Sequence, residues 1–295
     1  MTTIPRRVAV IGDVMMDVVV VPRGPLALTS DTSSTVRIGR GGAAGNLAVA
    51  LARAGHDVTY IGSVGDDWAG REVEIEFRRW GVTPQLQRVG DATGVVVSMV
   101  APDGQRSMFT DRGANAHLDT SFVLDVVQRG VDHVHVSGYT LLSDDVRPVG
   151  VAALGWTWEH DVPTSVDVCS VGPLKNIGAT TFLDAAHGAT MLFANEEEAR
   201  ELCGEGDDAD NLGLLGKLFS EVVVTRGGAG AVAVRNGEMF DVPSVATDVV
   251  DTTGAGDAAT GTYLSHRLFG HDIDASLRAA MEAAAMVVRG AGALG

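Results

Sequence analysis

The sequence predicts an α/β fold built on a doubly wound, mostly parallel sheet. Short apolar, β-branched runs alternate along the chain with longer stretches of helical period. That is the pattern of strand–helix–strand units with helices on both sheet faces. The chain has 295 residues, 45% of them apolar, so it can bury a full core without disulfides or metals.

Taken in order, residues 8–12, 58–62, 131–136, 164–167, 190–195 and 221–225 read as strands. Residues 43–54, 66–80, 119–128, 144–160, 196–203, 255–269 and 274–288 read as helices. Two regions break the alternation. Residues 15–21 and 36–38 look like extra strands between the first strand and the first helix. Residues 93–101 and 106–111 form a second pair around the turn signal Pro102-Asp103-Gly104. Both pairs border Gly-rich loops. The expectation is a single domain over 1–295 with a small β-sheet lid, inserted at about 14–40 and 92–112. A surface hairpin without a role is the plainer alternative.

Composition narrows the function classes. Cys169 and Cys203 are far apart and in no metal-ligand spacing, which reads as a reducing, cytoplasmic setting. The first apolar run, 8–11, is too short for a secretory signal, and no stretch approaches the roughly 20 apolar residues of a membrane helix. A soluble protein without a membrane partner is expected. The formal net charge of −16 argues against nucleic acid as a ligand. A polyanion such as ATP must then be met by backbone N–H groups, helix N-termini and Mg²⁺ rather than by a basic surface.

Two familiar nucleotide motifs are missing. Gly213-Leu214-Leu215-Gly216-Lys217 is followed by Leu218 where a phosphate-binding loop needs Ser or Thr. Gly39-Arg40-Gly41-Gly42-Ala43-Ala44-Gly45 loosely mimics a dinucleotide fingerprint. It lies well past the first strand, and no ribose-binding acid follows at the right distance.

The strongest segment is Asp251-Thr252-Thr253-Gly254-Ala255-Gly256-Asp257. An apolar run stops in a Gly-rich turn, and a long helical pattern begins at once. The N–H groups of Gly254, Ala255 and Gly256 then point free of the helix's first turn, and small side chains let a phosphate approach closely. Asp257, inside that turn, can accept a hydroxyl proton as a phosphoryl group transfers. An ordinary capped helix is the plainer reading, but capping alone does not call for two glycines beside two aspartates.

With this segment the chain resembles the ribokinase (PfkB) family of carbohydrate kinases, whose C-terminal signature, close to Asp-Thr-x-Gly-Ala-Gly-Asp, it carries without departure. The resemblance implies a ribokinase-like three-layer sandwich. It also implies ATP-dependent phosphorylation of a hydroxyl on a small sugar or sugar derivative, with ATP and Mg²⁺ as cofactors. Asp257 would be the general base, and the Gly254, Ala255 and Gly256 amides the anion hole. The family's N-terminal signature is similar to the run from Gly41 to Gly55, which implies sugar contacts from the Gly41 and Gly42 backbone and from Asn46. Gly12-Asp13-Val14-Met15-Met16-Asp17 also resembles the family, with Asp17 binding sugar hydroxyls.

Asn195-Glu196-Glu197-Glu198 resembles the family's Asn-x-x-Glu element. This implies Asn195 near the ATP phosphates and Glu198 ordering the Mg²⁺ hydration shell. By itself the segment reads as a capped, solvated helix start. The run from Val222 to Gly230 looks like the family's nucleotide-binding strand and turn, with Thr225, Gly227 and Gly230 lining the ATP pocket. Without the resemblance it is a hairpin turn. The family further implies a monovalent-cation site, for K⁺, from Asp251, Thr253 and carbonyls of the last segment. A homodimer through the lid is expected.

Three departures stand out. Ala43 occupies a position that often carries Lys, relatives usually continue beyond the point matching Gly295, and no Arg follows Asp167-Val168-Cys169 where some sugar-acid kinases have one. A nucleoside kinase of the same family is one alternative. It would want apolar or aromatic contacts from the lid, where Phe109 stands without an aromatic cluster. A catalytically silent sugar-binding regulator is another. His133, His135, Trp156 and Trp158 read as packing residues.

Overall fold

A computed structural model describes residues 4–101, 106–204, 208–245, 247–248 and 254–290. In chain order the elements are β1 (Arg7–Ile11), β2 (Met15–Pro22), β3 (Ser34–Gly41), α1 (Ala43–Arg53), β4 (Asp57–Gly65), α2 (Trp68–Arg79), β5 (Val82–Val89), β6 (Val95–Val100) and β7 (Arg106–Asp111). Next come α3 (Thr120–Val127), β8 (His133–Ser137), α4 (Gly138–Leu142), α5 (Arg147–Glu159), β9 (Thr164–Asp167), α6 (Val171–Ile177), α7 (Ala179–Ala185), β10 (Met191–Asn195) and α8 (Glu196–Cys203). The chain continues through α9 (Asp208–Leu218), β11 (Glu221–Thr225), β12 (Ala231–Arg235), β13 (Glu238–Val242), α10 (Ala255–Leu268) and α11 (Ile273–Arg289).

Nine strands form one sheet in the order β5-β4-β1-β8-β9-β10-β11-β12-β13. Neighbours are parallel except β11–β12 and β12–β13. The period-2 alternation of β1 sends Ala9 and Ile11 to one face and Val8 and Val10 to the other. The first face packs with Val134, Val136 and Val166 against residues of α3, α5, α7 and α9. The second packs with Val58, Tyr60 and Phe193 against α1, α2, α10 and α11. The result is three layers, and burial on both faces explains the continuous apolar runs of the central strands.

From β1 the chain builds β4 and β5 on one side, then crosses to β8 on the other. Reversal of strand order opens a crevice at the carboxyl ends of the strands. A second sheet of four strands, β3-β2-β6-β7, stands beside it. Its two halves are joined by parallel pairing of β2 with β6, from Met16 opposite Val95 to Val20 opposite Met99. The two insertions therefore form one sheet rather than two hairpins.

Several elements differ from the sequence expectation. β5 is an edge strand, and its Pro84, Gln85, Gln87 and Arg88 break the apolar pattern that marks inner strands. α5 begins at Arg147 because Pro148 is tolerated only in a helix's first turn. Gly213 and Gly216 lie inside α9, so Gly-Leu-Leu-Gly-Lys is helix and not a phosphate loop. Trp156 stacks on His160 at 4.3 Å, but Trp158 is 65% exposed and is not a packing residue. His133 and His135 are buried on either side of the Ser165 hydroxyl, at 2.8 and 2.9 Å. Burial lowers both imidazoles to about 3. No helix among the described residues is long and apolar enough to cross a membrane.

Candidate active site

The carboxyl ends of β9, β10 and β11 open onto a cleft of about 610 Å³, faced on another side by β2, β6 and β7 of the second sheet. The N-terminus of α10 points into it. Gly254, the residue capping that helix, has φ 76°, the left-handed region in which a side chain is strained. The first helical bond described runs from the Ala258 N–H to the Gly254 carbonyl, 2.9 Å. Helix geometry leaves the N–H groups of the preceding turn without intrahelical acceptors, and such an end attracts anions by about 0.3–1 kcal/mol. Gly256 lines the cleft, and a Cβ built on it would meet nothing within 4 Å.

Asp257 sits in the first turn of α10. Its Oδ2 accepts a hydrogen bond from Asn46 Nδ2 on α1, 2.7 Å. Burial pushes the Asp257 carboxyl up, while the Asn46 bond and the Arg40 charge pull it down. Asp17 comes from β2, where Asp17 and Val19 share the cleft face with Val96 and Ser98 of β6 and Met108 and Thr110 of β7. Burial raises Asp17 to about 6; Arg40 lowers it and Asp257 raises it further.

The two glycines of the N-terminal signature differ. Gly42 lines the cleft with φ 90°, and a Cβ there would fall 2.7 Å from the Asp13 carbonyl oxygen. Gly41 does not line it: its missing side chain is the space Asp17 fills, since a Cβ would lie 2.1–2.3 Å from the Asp17 carboxylate atoms. A requirement for glycine at 41 thus follows from the fit of Asp17.

At the other end of the cleft, Asn195 and Glu198 form a reciprocal cap. Glu198 N–H donates to Asn195 Oδ1 at 2.9 Å, and Asn195 N–H donates to Glu198 Oε2 at 2.8 Å. Glu198 is 3% exposed, so it is not part of a solvated helix start, and it lines the cleft with Thr225, which lies opposite Asn195 in the sheet. Gly227 and Gly230 lie in the turn beyond Thr225 and do not line the cleft. Gly230 is dictated by packing, because a Cβ there would meet the Val242 carbonyl oxygen at 2.1 Å. Asp251 and Thr253 lie outside the described residues.

The structure adds residues that the sequence did not single out. Asp13 is buried, raised to about 6, and paired with Arg112 Nη2 at 2.9 Å. Asp167, at the end of β9, accepts from the Cys169 N–H at 3.0 Å and from Thr260 Oγ1 at 3.3 Å. Burial, with Glu198 and Asp257 close by, raises Asp167 to about 8. Both acids stand at or just past a strand's carboxyl end, and that position was the signal available for them. Arg112 gave no comparable signal. Phe109, opposite Val97, lies on the sheet face away from Met108 and Thr110, so the second sheet offers no aromatic side chain to the cleft among its described residues.

Set against known proteins, residues 5–294 match the pfkB family carbohydrate kinase. A ribokinase of Bacillus subtilis is 29% identical over 294 residues, 98% of this chain and 95% of that protein. An ATP-dependent ribose-1-phosphate kinase of Halopiger xanaduensis is 30% identical over 293 residues, 97% and 93% of the two chains. The crystal structure of adenosine kinase from Sinorhizobium meliloti superposes with a TM-score of 0.88 at 26% identity, covering 98% of this chain and 96% of that one.

Proposed function

Since the chain belongs to the pfkB family of carbohydrate kinases, we propose that it transfers the γ-phosphate of ATP to a hydroxyl of a small sugar or sugar derivative, with Asp257 as the general base. The observation that carries this reading is the meeting of Asp257 with Asn46 beside the N-terminus of α10. One carboxylate oxygen is engaged by Asn46, and the other is left to take the acceptor's proton as its oxygen attacks phosphorus. The amides of Gly254, Ala255 and Gly256 stabilise charge on the phosphoryl group in flight. Asp17 accepts hydrogen bonds from acceptor hydroxyls, and Asn46 and the Gly42 backbone complete that end of the site.

The chain's residues fit Mg²⁺ bound with ATP. Asp167 and Glu198 both line the cleft, and the crowding of Asp167 by Glu198 and Asp257 is what a hard divalent cation relieves. When bound, Mg²⁺ neutralises phosphate charge, and Glu198 would order its water shell with Asn195 and Thr225 nearby. A K⁺ requirement follows from the family resemblance alone, and assays in K⁺ against Na⁺ test it.

The whole chain works as one unit, with the four-stranded sheet as a lid. The lid's outer face carries Val18, Val20, Val36, Ile38, Val97 and Phe109 in register, with Val36, Ile38 and Phe109 exposed. A second copy of the lid would cover it, giving a homodimer. Phe109→Asp should then convert a dimer to a monomer in light scattering. Two free thiols are in keeping with a cytoplasmic setting.

Phosphorylation of a nucleoside is the second reading, favoured by the apolar wall of Val19, Val96, Met108 and Leu142 in the cleft. A coupled ADP-release screen over pentoses, hexoses, keto-deoxy acids and nucleosides separates the two. A silent binding protein would shift in melting temperature with a sugar yet release no ADP.

A further inference from the structure

Arg40 is 5% exposed, an unusual depth for an arginine. It leaves β3 opposite Met16, on the sheet face away from the cleft-lining row of Asp17. Its guanidinium lies over the Phe77 ring of α2, 5.1 Å from the centroid. To get there it crosses α1 at Gly45, where an added Cβ would fall 2.5 Å from Arg40 Nη1. Glycine inside a helix is unfavourable, and here its use is to let the arginine through. Nη1 donates to Asn46 Oδ1 at 3.3 Å. Nε and Nη2 are buried and have no hydrogen-bond partner among the described residues. A buried cation with two unsatisfied donors destabilises the fold.

We infer that Arg40 is a positioning residue for this site, orienting the Asn46 amide so that it donates to Asp257. The inference rests on the reading of Asp257 as base. With Oδ1 turned to Arg40, Asn46 must present its NH₂ to Asp257. A flipped amide would set NH₂ against the guanidinium and oxygen against the carboxylate. One N–H of that NH₂ is used on Asp257 Oδ2, and the other is free to meet the acceptor oxygen. The acceptor's own hydrogen is thereby directed to Asp257. Arg40 faces Glu76 on α2, Tyr60 on β4, Asp17 on β2 and Asp257 on α10. Asp257 in turn faces Asp17, Tyr139 after β8 and Asp167 on β9. Arg40 is thus the cation that offsets a group of acids around the base.

The test is the pH profile of kcat at saturating acceptor and ATP, for Arg40→Met and Arg40→Lys beside Asp257→Asn. A charge that lowers the Asp257 pKa is lost in Arg40→Met, so the base is protonated at higher pH. The acidic limb should move up by about one pH unit. kcat at neutral pH should fall about tenfold. Melting temperature should hold or rise, because an incompletely paired buried cation is gone. Lys, which keeps the charge, should return the limb most of the way. An unmoved limb, or an equal loss at every pH in both variants, overturns the role of Arg40. If Arg40→Met does not fold, Gly45→Ala displaces Nη1 instead and should lower kcat with the same direction of limb shift; an unchanged profile overturns the inference. An active Asp257→Asn enzyme would remove the underlying reading, whereas an inactive one beside an unshifted Arg40→Met profile removes the positioning role of Arg40 alone.

Discussion

Asn46 Nδ2 lies 2.7 Å from Asp257 Oδ2, although 211 residues separate them in the chain. The bond ties α1, whose Asn46 lines the cleft, to the N-terminus of α10, which opens onto the same cleft. It joins the two signatures into one device. Asn46 donates to the carboxylate through Nδ2 and accepts from Arg40 through Oδ1.

Gly41→Ala should act through Asp17. The new Cβ would lie 2.1–2.3 Å from the Asp17 carboxylate, so Asp17 must move. The acceptor's KM should rise at least about tenfold, since an unpaired buried polar group costs about 1–3 kcal/mol. Asp17→Ala should match it, and the KM for ATP should stay within about twofold in both. Steady-state kinetics with each substrate varied in turn gives the answer. An equal effect on ATP would mean a disturbed fold.

Gly256→Ala separates catalysis from folding. The added methyl meets nothing in the protein, and Ala is favoured over Gly in a helix by about 0.5–1 kcal/mol. Melting temperature should hold or rise while turnover falls about tenfold or more, because the methyl occupies the approach to the anion hole. Full turnover in a stable variant would move the phosphate elsewhere.

Asp167 predicts a pH dependence of stability. Its folded pKa of about 8 lies above the unfolded value of 3.8. Between these values the unfolded chain has released a proton that the folded chain still holds, so stability falls as pH rises. Without ligands, melting temperature should drop from pH 5 to pH 8, and Asp167→Asn should flatten that drop. At pH 8 the variant should melt at least about 3 °C higher than the wild type. Parallel curves for the two proteins would refute the assignment. Mg²⁺ with ATP should raise the wild-type curve most at the alkaline end, where the carboxylates are charged.

The inner strands were legible because burial on both faces forces apolar runs such as Val8-Ala9-Val10-Ile11. β5 was not, since an edge strand can carry Pro84 and Arg88 without breaking a ladder on its outer side. Asp257 and Asn46 were legible because each sits in a dense local motif. The Asp13–Arg112 pair was not, because its partners meet across 99 residues and nothing local marks Arg112 as the partner of Asp13. Arg40 lies within a Gly-rich run, but its meaning depends on Phe77, Gly45 and Asn46 meeting in three dimensions. Gly230 has a packing reason for glycine that the sequence did not show, the close approach of the Val242 carbonyl oxygen.

The most direct measurement is turnover of Asp257→Asn with a phosphoryl acceptor identified by the screen. The amide is close in shape but cannot take the proton. kcat should fall about 10²–10⁴-fold, while the KM values for acceptor and ATP change far less. A variant that keeps more than about a tenth of wild-type kcat would contradict the assignment of Asp257 as the base.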